Sequence, residues 1–296
     1  VEGDERRRLV FTGDLGQAGT PILRDPAPVE SADLVLMECT YGDRDHRDHQ
    51  ATVEELGEII ANARVNKGNV LIPSFAVGRS QEILYYLARH YEDWEIDRFR
   101  VFLDSPMAIE ATRIYWSHPE LYDTAAAALH DQSWQALLPN LELTADAQES
   151  MRINDLDGGA LVIAGSGMCS GGRIIHHLKH NLANPGAHVV IVGFQVHGSL
   201  GRHLVDGART ARIHGAEIPV RARIHTLGGF SAHADRSALA HWYENIRGRP
   251  PVWLVHGEAS AAQAFRGYLR ERTGTVPTIA APGDSIDLIQ APTATA

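Results

Sequence analysis

Short apolar runs rich in Val, Ile and Leu alternate, from one end of the chain to the other, with stretches whose apolar residues recur at helical spacing. Strands are predicted over 9–12 and 34–38. Val53, Leu56, Ile59, Ile60 and Ala63 then mark one face of a helix, which Lys67-Gly68 ends. A strand over 70–73, a helix around Ile83, Leu84, Tyr86 and Leu87, a strand over 100–103 and a helix over 106–116 with Pro106 in its first turn follow. Residues 118–156 read as mostly helical, with an alanine run at 125–128 that reports helix propensity alone. The alternation then resumes: strand 160–164, helix 172–182, strand 188–193, a short helix at 200–205, and strands within 213–227. It closes with helix 235–246, strand 252–256, helix 260–272, a strand pair within 277–289, and a tail, 291–296, expected to fray. Strand and helix in strict succession predict an α/β fold.

The longest apolar runs, 159–165 and 188–194, fall far short of the ~20 residues that a membrane-spanning helix needs, so no membrane partner is expected. At 296 residues, 44% hydrophobic and 22% charged, the chain can bury a full core as one large domain or two ordinary ones. Its two cysteines, Cys39 and Cys169, form no CxxC pair, which suits a reducing compartment and predicts a cytoplasmic protein without a thiolate zinc site. The first residue is Val1 and no apolar signal core follows it, so a segment upstream is expected. With 27 Lys+Arg against 37 Asp+Glu the net charge is −10, unfavourable for nucleic acid as a whole. Net charge does not locate the charges, however, and the local pattern decides.

Open parallel sheets place ligands beyond the carboxyl ends of their strands. Polar strings of five kinds follow predicted strands. Gly13-Asp14-Leu15-Gly16 sets a carboxylate between glycines, and Glu38-Cys39-Thr40-Tyr41-Gly42 ends a strand with an acid. Phe230-Ser231-Ala232-His233-Ala234-Asp235 leads into a helix, and Val255-His256-Gly257-Glu258 follows a strand. The fifth class comprises two loops that open helices, one from Ser74 to Arg79 and one from Gly167 through Ser170, Gly171 and Gly172 to Arg173. Each has an ordinary alternative as a turn or a cap. A dinucleotide-binding reading of the second loop fails on glycine spacing.

In this order, the strings resemble the metallo-β-lactamase superfamily members that carry the β-CASP insertion. These are RNA-processing nucleases such as ribonuclease J, the endonuclease subunit of the cleavage and polyadenylation machinery, and bacterial and archaeal relatives. The resemblance runs from Phe11 to Glu258. It implies that Asp14 bridges two zinc ions, that Glu38 and His233 are the acid and histidine of the first two β-CASP motifs, and that His256 is the third motif and a zinc ligand. Two zinc ions about 3.5–4 Å apart suit hydrolysis of a phosphodiester, and an unligated histidine steadied by a carboxylate can protonate the leaving oxygen. DNA-repair members typically carry an aliphatic residue at the third motif, so His256 implies RNA.

The family's HxHxDH signature does not occur before Asp14. His46-Arg47-Asp48-His49 imitates its end, but Arg44 stands where its first histidine belongs, and the segment is expected to be a solvated loop and helix start. The zinc site is therefore expected to be incomplete in this chain. The resemblance implies a partial metallo-β-lactamase fold of αββα type, its C-terminal part, at 1–45 and 229–296, with an inserted β-CASP domain at 46–228. It implies a zinc-dependent ribonuclease acting in RNA processing or decay, of which this chain is an N-terminally truncated, inactive fragment. A noncatalytic RNA-binding or scaffold subunit is the alternative. The partner is single-stranded RNA, and a homodimer is among the assemblies left open. Ser74, Arg79, Ser231 and the loop of Gly167, Ser170, Gly171, Gly172 and Arg173 are expected to contact phosphate, because helix starts favour anions.

Overall fold

A computed structural model of the chain describes residues 6–130 and 134–288. Its strands are Leu9–Phe11 (β1), Leu34–Glu38 (β2), Val70–Pro73 (β3), Arg100–Asp104 (β4), Leu141–Leu143 (β5), Ala160–Ala164 (β6), His188–Ile191 (β7), Thr210–Ile213 (β8), Ala216–Pro219 (β9), Arg223–Thr226 (β10), Val252–Val255 (β11) and Thr278–Ile279 (β12). Its helices are His49–Val65 (α1), Arg79–Arg89 (α2), Pro106–Trp116 (α3), Thr124–His130 (α4), Trp134–Leu137 (α5), Ala147–Ile153 (α6), Ile174–Asn181 (α7), Leu200–Val205 (α8), Arg236–Glu244 (α9) and Ala259–Thr273 (α10). Among the described residues no helix is long and apolar enough to cross a membrane. The described residues fall into two compact units, one of 21–24 and 47–231, the other of 6–20, 25–46 and 232–288.

The larger unit is built on a six-stranded sheet in the order β10-β7-β3-β6-β4-β5, every neighbouring pair parallel. Both faces of such a sheet are covered, which is why its inner strands β7, β3, β6 and β4 read as largely apolar runs while the edge strands β10 and β5 do not. Val70, Ile72, Leu161 and Ile163 pack with Leu56 and Ile60 of α1 and with Ile83 and Leu84 of α2. Their chain neighbours Leu71, Val162 and Ala164 turn the other way, onto Ile174 and Leu178 of α7. Asp48 caps α1 by accepting the Ala51 N–H at 2.8 Å, and Ser105 caps α3 ahead of Pro106. The strands β8 and β9 form a separate antiparallel hairpin.

Residues 118–156 are mostly helical, as expected, but also hold a strand that was not expected, β5, whose three residues extend the sheet edge by pairing with Val101, Phe102 and Leu103. One expectation fails. The strand pair expected within 277–289 reduces to β12, which pairs with Trp253 and Leu254. A turn closes straight after it, with the Asp284 carboxylate accepting the Ala281 N–H at 2.8 Å. Ile289 and the tail 291–296 lie outside the described residues.

The smaller unit carries a four-stranded, all-parallel sheet in the order β1-β2-β11-β12. Val35, Met37 and Leu254 pack with Leu239 and Tyr243 of α9 and with Phe265 and Leu269 of α10. The buried Tyr243 hydroxyl donates to the Pro250 carbonyl at 2.6 Å, so the largest side chain of this core leaves no polar atom unpaired. The α/β class read from the sequence is the class observed.

Candidate metal centre

Three of the strings named in the sequence arise at the carboxyl ends of adjacent parallel strands in the smaller unit. The register pairs Val255 with Glu38 and Phe11 with Leu36, so chain leaving β1, β2 and β11 emerges along one edge. Asp14, Glu38 and His256 meet there as a consequence of topology. Two glycines permit the closeness. A Cβ on Gly257 would lie 2.6 Å from Cys39 Sγ, and one on Gly42 would lie 2.6 Å from Phe265 Cβ. His256 itself sits at φ +50, a left-handed turn that re-aims its ring.

Glu38 is fully buried and accepts from three N–H groups: Leu15 at 2.6 Å, Thr40 at 3.4 Å, and His233 Nδ1 at 2.9 and 3.0 Å to its two oxygens. An ionised carboxylate, acceptor on both oxygens, satisfies all of them. A hydrogen of His233 is thereby assigned to Nδ1, the ring nitrogen that Glu38 holds. Asp14 Oδ1 stands 3.5 Å from His256 Nδ1, which also lies 3.3 Å from the Thr40 hydroxyl. The His233 and His256 rings stack at 5.7 Å. One ligand atom each from Asp14, His233 and His256 lies within 4.8 Å of the others. This nitrogen and oxygen set fits zinc. Exposure rises across the group, from 0% for the Glu38 side chain and 19% for His233 to 60% for His256 and 64% for Asp14. The acid is dry, and Asp14 and His256 are open. Cys39 takes no part: burial, with help from Glu38, pushes its thiol up to about 12, and Sγ donates to the Val255 carbonyl.

The loop that carries His233 is held by residues the sequence reading did not choose. Ala234 N–H donates to Leu15 O at 2.6 Å and Asp235 N–H to Gln17 Oε1 at 3.0 Å. His46 Nε2 donates to the His233 carbonyl at 2.9 Å, while the His46 N–H donates to Asp235 Oδ2 at 3.1 Å. The His46 segment was expected to be a solvated loop and helix start, and this holds for the exposed Arg47 and Asp48 but not for the two histidines. Asp48 does begin a helix, but both histidines are half-buried: His46 packs edge-on against Tyr41 at 4.4 Å, and His49, in the larger unit, bonds the Gly229 carbonyl and the Tyr86 hydroxyl. Their partners are distant in sequence, which local polarity cannot reveal. Neither belongs to the ligand cluster found among the described residues.

The expected phosphate contacts need a correction of the same kind. In the larger unit Arg79 is buried and ion-paired with Glu82, and Ser74 is buried, its hydroxyl accepting from Ser80 and donating to the Phe75 carbonyl. Arg173 donates to Asp104 at 2.7 Å and to the Thr144 and Ala145 carbonyls at 2.8 Å each. Gly167 packs on the Phe75 ring, where a Cβ would stand 2.7 Å from Cδ2, and Ser231 is buried. Ser170, Gly171 and Gly172 alone keep an open loop surface, with Gly172 at φ +68. The charges counted as free in the sequence are taken up by internal acids.

Two family models match the chain: a Beta-Casp domain over residues 80–204 and a Zn-dependent metallo-hydrolase RNA specificity domain over residues 217–282. The chain is 41% identical over 287 residues to a ribonuclease of Thermus thermophilus, covering 97% of this chain and 65% of that protein. It is 33% identical over 286 residues to the transcription termination factor FttA of Thermococcus kodakarensis, covering 92% and 43%. An RNase J-like protein of Methanocaldococcus jannaschii is 27% identical over 267 residues, covering 88% and 60%. The chain thus spans less than two-thirds of the length of these relatives. The strings that end β1, β2 and β11, together with both matches, make the chain a member of the β-CASP family of the metallo-β-lactamase superfamily.

Proposed function

We propose that the protein containing this chain is a zinc-dependent ribonuclease that hydrolyses phosphodiester bonds of single-stranded RNA. In this reading residues 1–45 and 229–296 are the metallo-β-lactamase part and 46–228 the inserted β-CASP part. Asp14 and His256 hold metal. A bound zinc supplies Lewis-acid stabilisation of charge developing on the phosphodiester oxygens. Glu38 keeps the His233 ring in place through Nδ1, and His233 acts as the imidazolium, giving its Nε2 proton to the leaving ribose oxygen and keeping the one on Nδ1. The observation that carries the reading is the convergence of Asp14, His233 and His256 above a buried Glu38 bonded to His233. The same convergence favours a second reading, in which His233 Nε2 is itself a ligand, since metal-binding histidines commonly donate their other N–H to a carboxylate.

The deciding assay is RNA cleavage by the gene product that contains these 296 residues, with and without a chelator. Cleavage that survives chelation overturns the proposal. The 296-residue chain alone is expected to bind single-stranded RNA without cutting it, through the loop of Ser170, Gly171 and Gly172. Because this loop offers a hydroxyl and backbone N–H groups and no cation, affinity should fall by less than about threefold between 50 and 200 mM salt. A steeper fall would show that Lys or Arg side chains elsewhere, and not this loop, meet the phosphates.

A further inference from the structure

We propose that His46 is a positioning residue that places the His233 ring for proton delivery; the inference rests on the role given to His233 above. Three backbone groups of the His233 loop are bound, two by the segment that follows β1 and one by His46. Ala234 N–H is held by Leu15 O and Asp235 N–H by Gln17 Oε1, one and three residues after Asp14. The His233 carbonyl is held by His46 Nε2 at 2.9 Å. His46 acts on the backbone of His233, and Glu38 acts on its ring at 2.9 and 3.0 Å. One bond fixes where the side chain starts and the other fixes how the ring is turned.

The geometry of His46 suits this task. Its own N–H donates to Asp235 Oδ2, whose other oxygen caps α9 by accepting the Ala238 N–H at 2.8 Å. Its ring stands edge-on to Tyr41 at 4.4 Å, and Tyr41 is buried three residues after Glu38. The imidazole is therefore fixed at its backbone, its face and its Nε2. Because Nε2 is the donor to a carbonyl, the hydrogen sits there, and Nδ1 is the unprotonated nitrogen. A Gln side chain can still offer an N–H to the carbonyl; a Phe keeps the packing on Tyr41 but offers none.

The test reads His233 directly, using the 296-residue chain with 15N-labelled histidine. The His233 signals are identified by their loss in His233→Ala. Measured on the neutral ring, at alkaline pH, Nδ1 of the native chain should show the protonated shift and Nε2 the unprotonated one. His46→Phe should move both toward a mixture of the two tautomers, and His46→Gln should keep them near native. Unchanged His233 signals in His46→Phe, with the remaining amide spectrum native-like, would overturn the proposal. A second arm uses RNA cleavage by the gene product. His46→Phe should lower kcat about 10–100-fold with KM changed less than about twofold, and add no further loss in a His233→Ala background. Multiplying losses would show that His46 does not act through His233. If His233→Ala itself leaves cleavage unchanged, the proposed function falls, and the tautomer measurement still decides the role of His46.

Discussion

Replacing His233 with alanine is expected to slow RNA cleavage by the gene product roughly 10²–10⁴-fold while its zinc content stays native, the range usual for loss of a general acid. The expectation follows from which nitrogen is engaged. Nδ1 is bonded to the buried Glu38, so Nε2 is the nitrogen positioned beside Asp14 and His256. His256→Ala should instead lower zinc and activity together, because it removes a ligand. Glu38→Gln keeps the volume but replaces one acceptor oxygen by a donor. One of the N–H groups from Leu15 or His233 then faces an N–H, so kcat should fall without loss of metal. Zinc content by elemental analysis beside kcat separates these roles. Zinc lost in His233→Ala but kept in His256→Ala would reverse the assignment, and zinc lost in both would favour the reading in which His233 is a third ligand.

The edge on which these residues meet was legible because parallel strands buried on both faces read as apolar runs, so the polar residue after each run is conspicuous. Asp14 and His256 follow β1 and β11 in that way, and Glu38 closes β2. His233 was found by its string alone, since no strand precedes it directly: β10 ends at Thr226. Gln17 and His46 carried no comparable signal. Their bonds reach Asp235 and His233 across 218 and 187 residues, and a polar side chain in a loop looks the same whether it meets water or a backbone carbonyl. Arg79 and Arg173 were misjudged for a related reason. A cation before a helix suits an anion, and the anions turned out to be Glu82, three residues on, and Asp104, sixty-nine residues away. The edge strand β5 was hidden because a strand of three residues has too little alternation to stand out from helical neighbours.

Asp104→Ala is expected to destabilise the chain by roughly 3–5 kcal/mol, a large share of the ~5–15 kcal/mol typical of a folded domain. Asp104 ends β4 and is fully buried, yet four groups from four other segments donate to it: Thr144 Oγ1 at 2.6 Å after β5, Ser150 Oγ at 2.7 Å in α6, Arg173 at 2.7 Å before α7, and His177 Nε2 at 2.6 Å within α7. His177 is buried as well, and its Nδ1 is tied to Asn154. Removing the carboxylate leaves a buried imidazole and a largely buried guanidinium without their common acceptor. Urea denaturation should show the midpoint falling with an unchanged slope. The same carboxylate predicts an acid limb. Burial pushes it up, but the bonds from His177, Thr144, Ser150 and Arg173 outweigh burial and bring it down to about 2 from an ordinary value of 3.8. A folded value below the unfolded one means that stability is present above pH about 4 and is lost as pH falls toward about 2. The gap between native and Asp104→Ala should therefore be full near neutrality and shrink across that window. A gap below about 1 kcal/mol near neutral pH, or one that does not narrow in acid, would mean that the four donors are satisfied without Asp104. RNA binding should weaken less than stability, because Arg173, which closes the loop of Ser170, Gly171 and Gly172, loses its bond to Asp104 but keeps those to the Thr144 and Ala145 carbonyls.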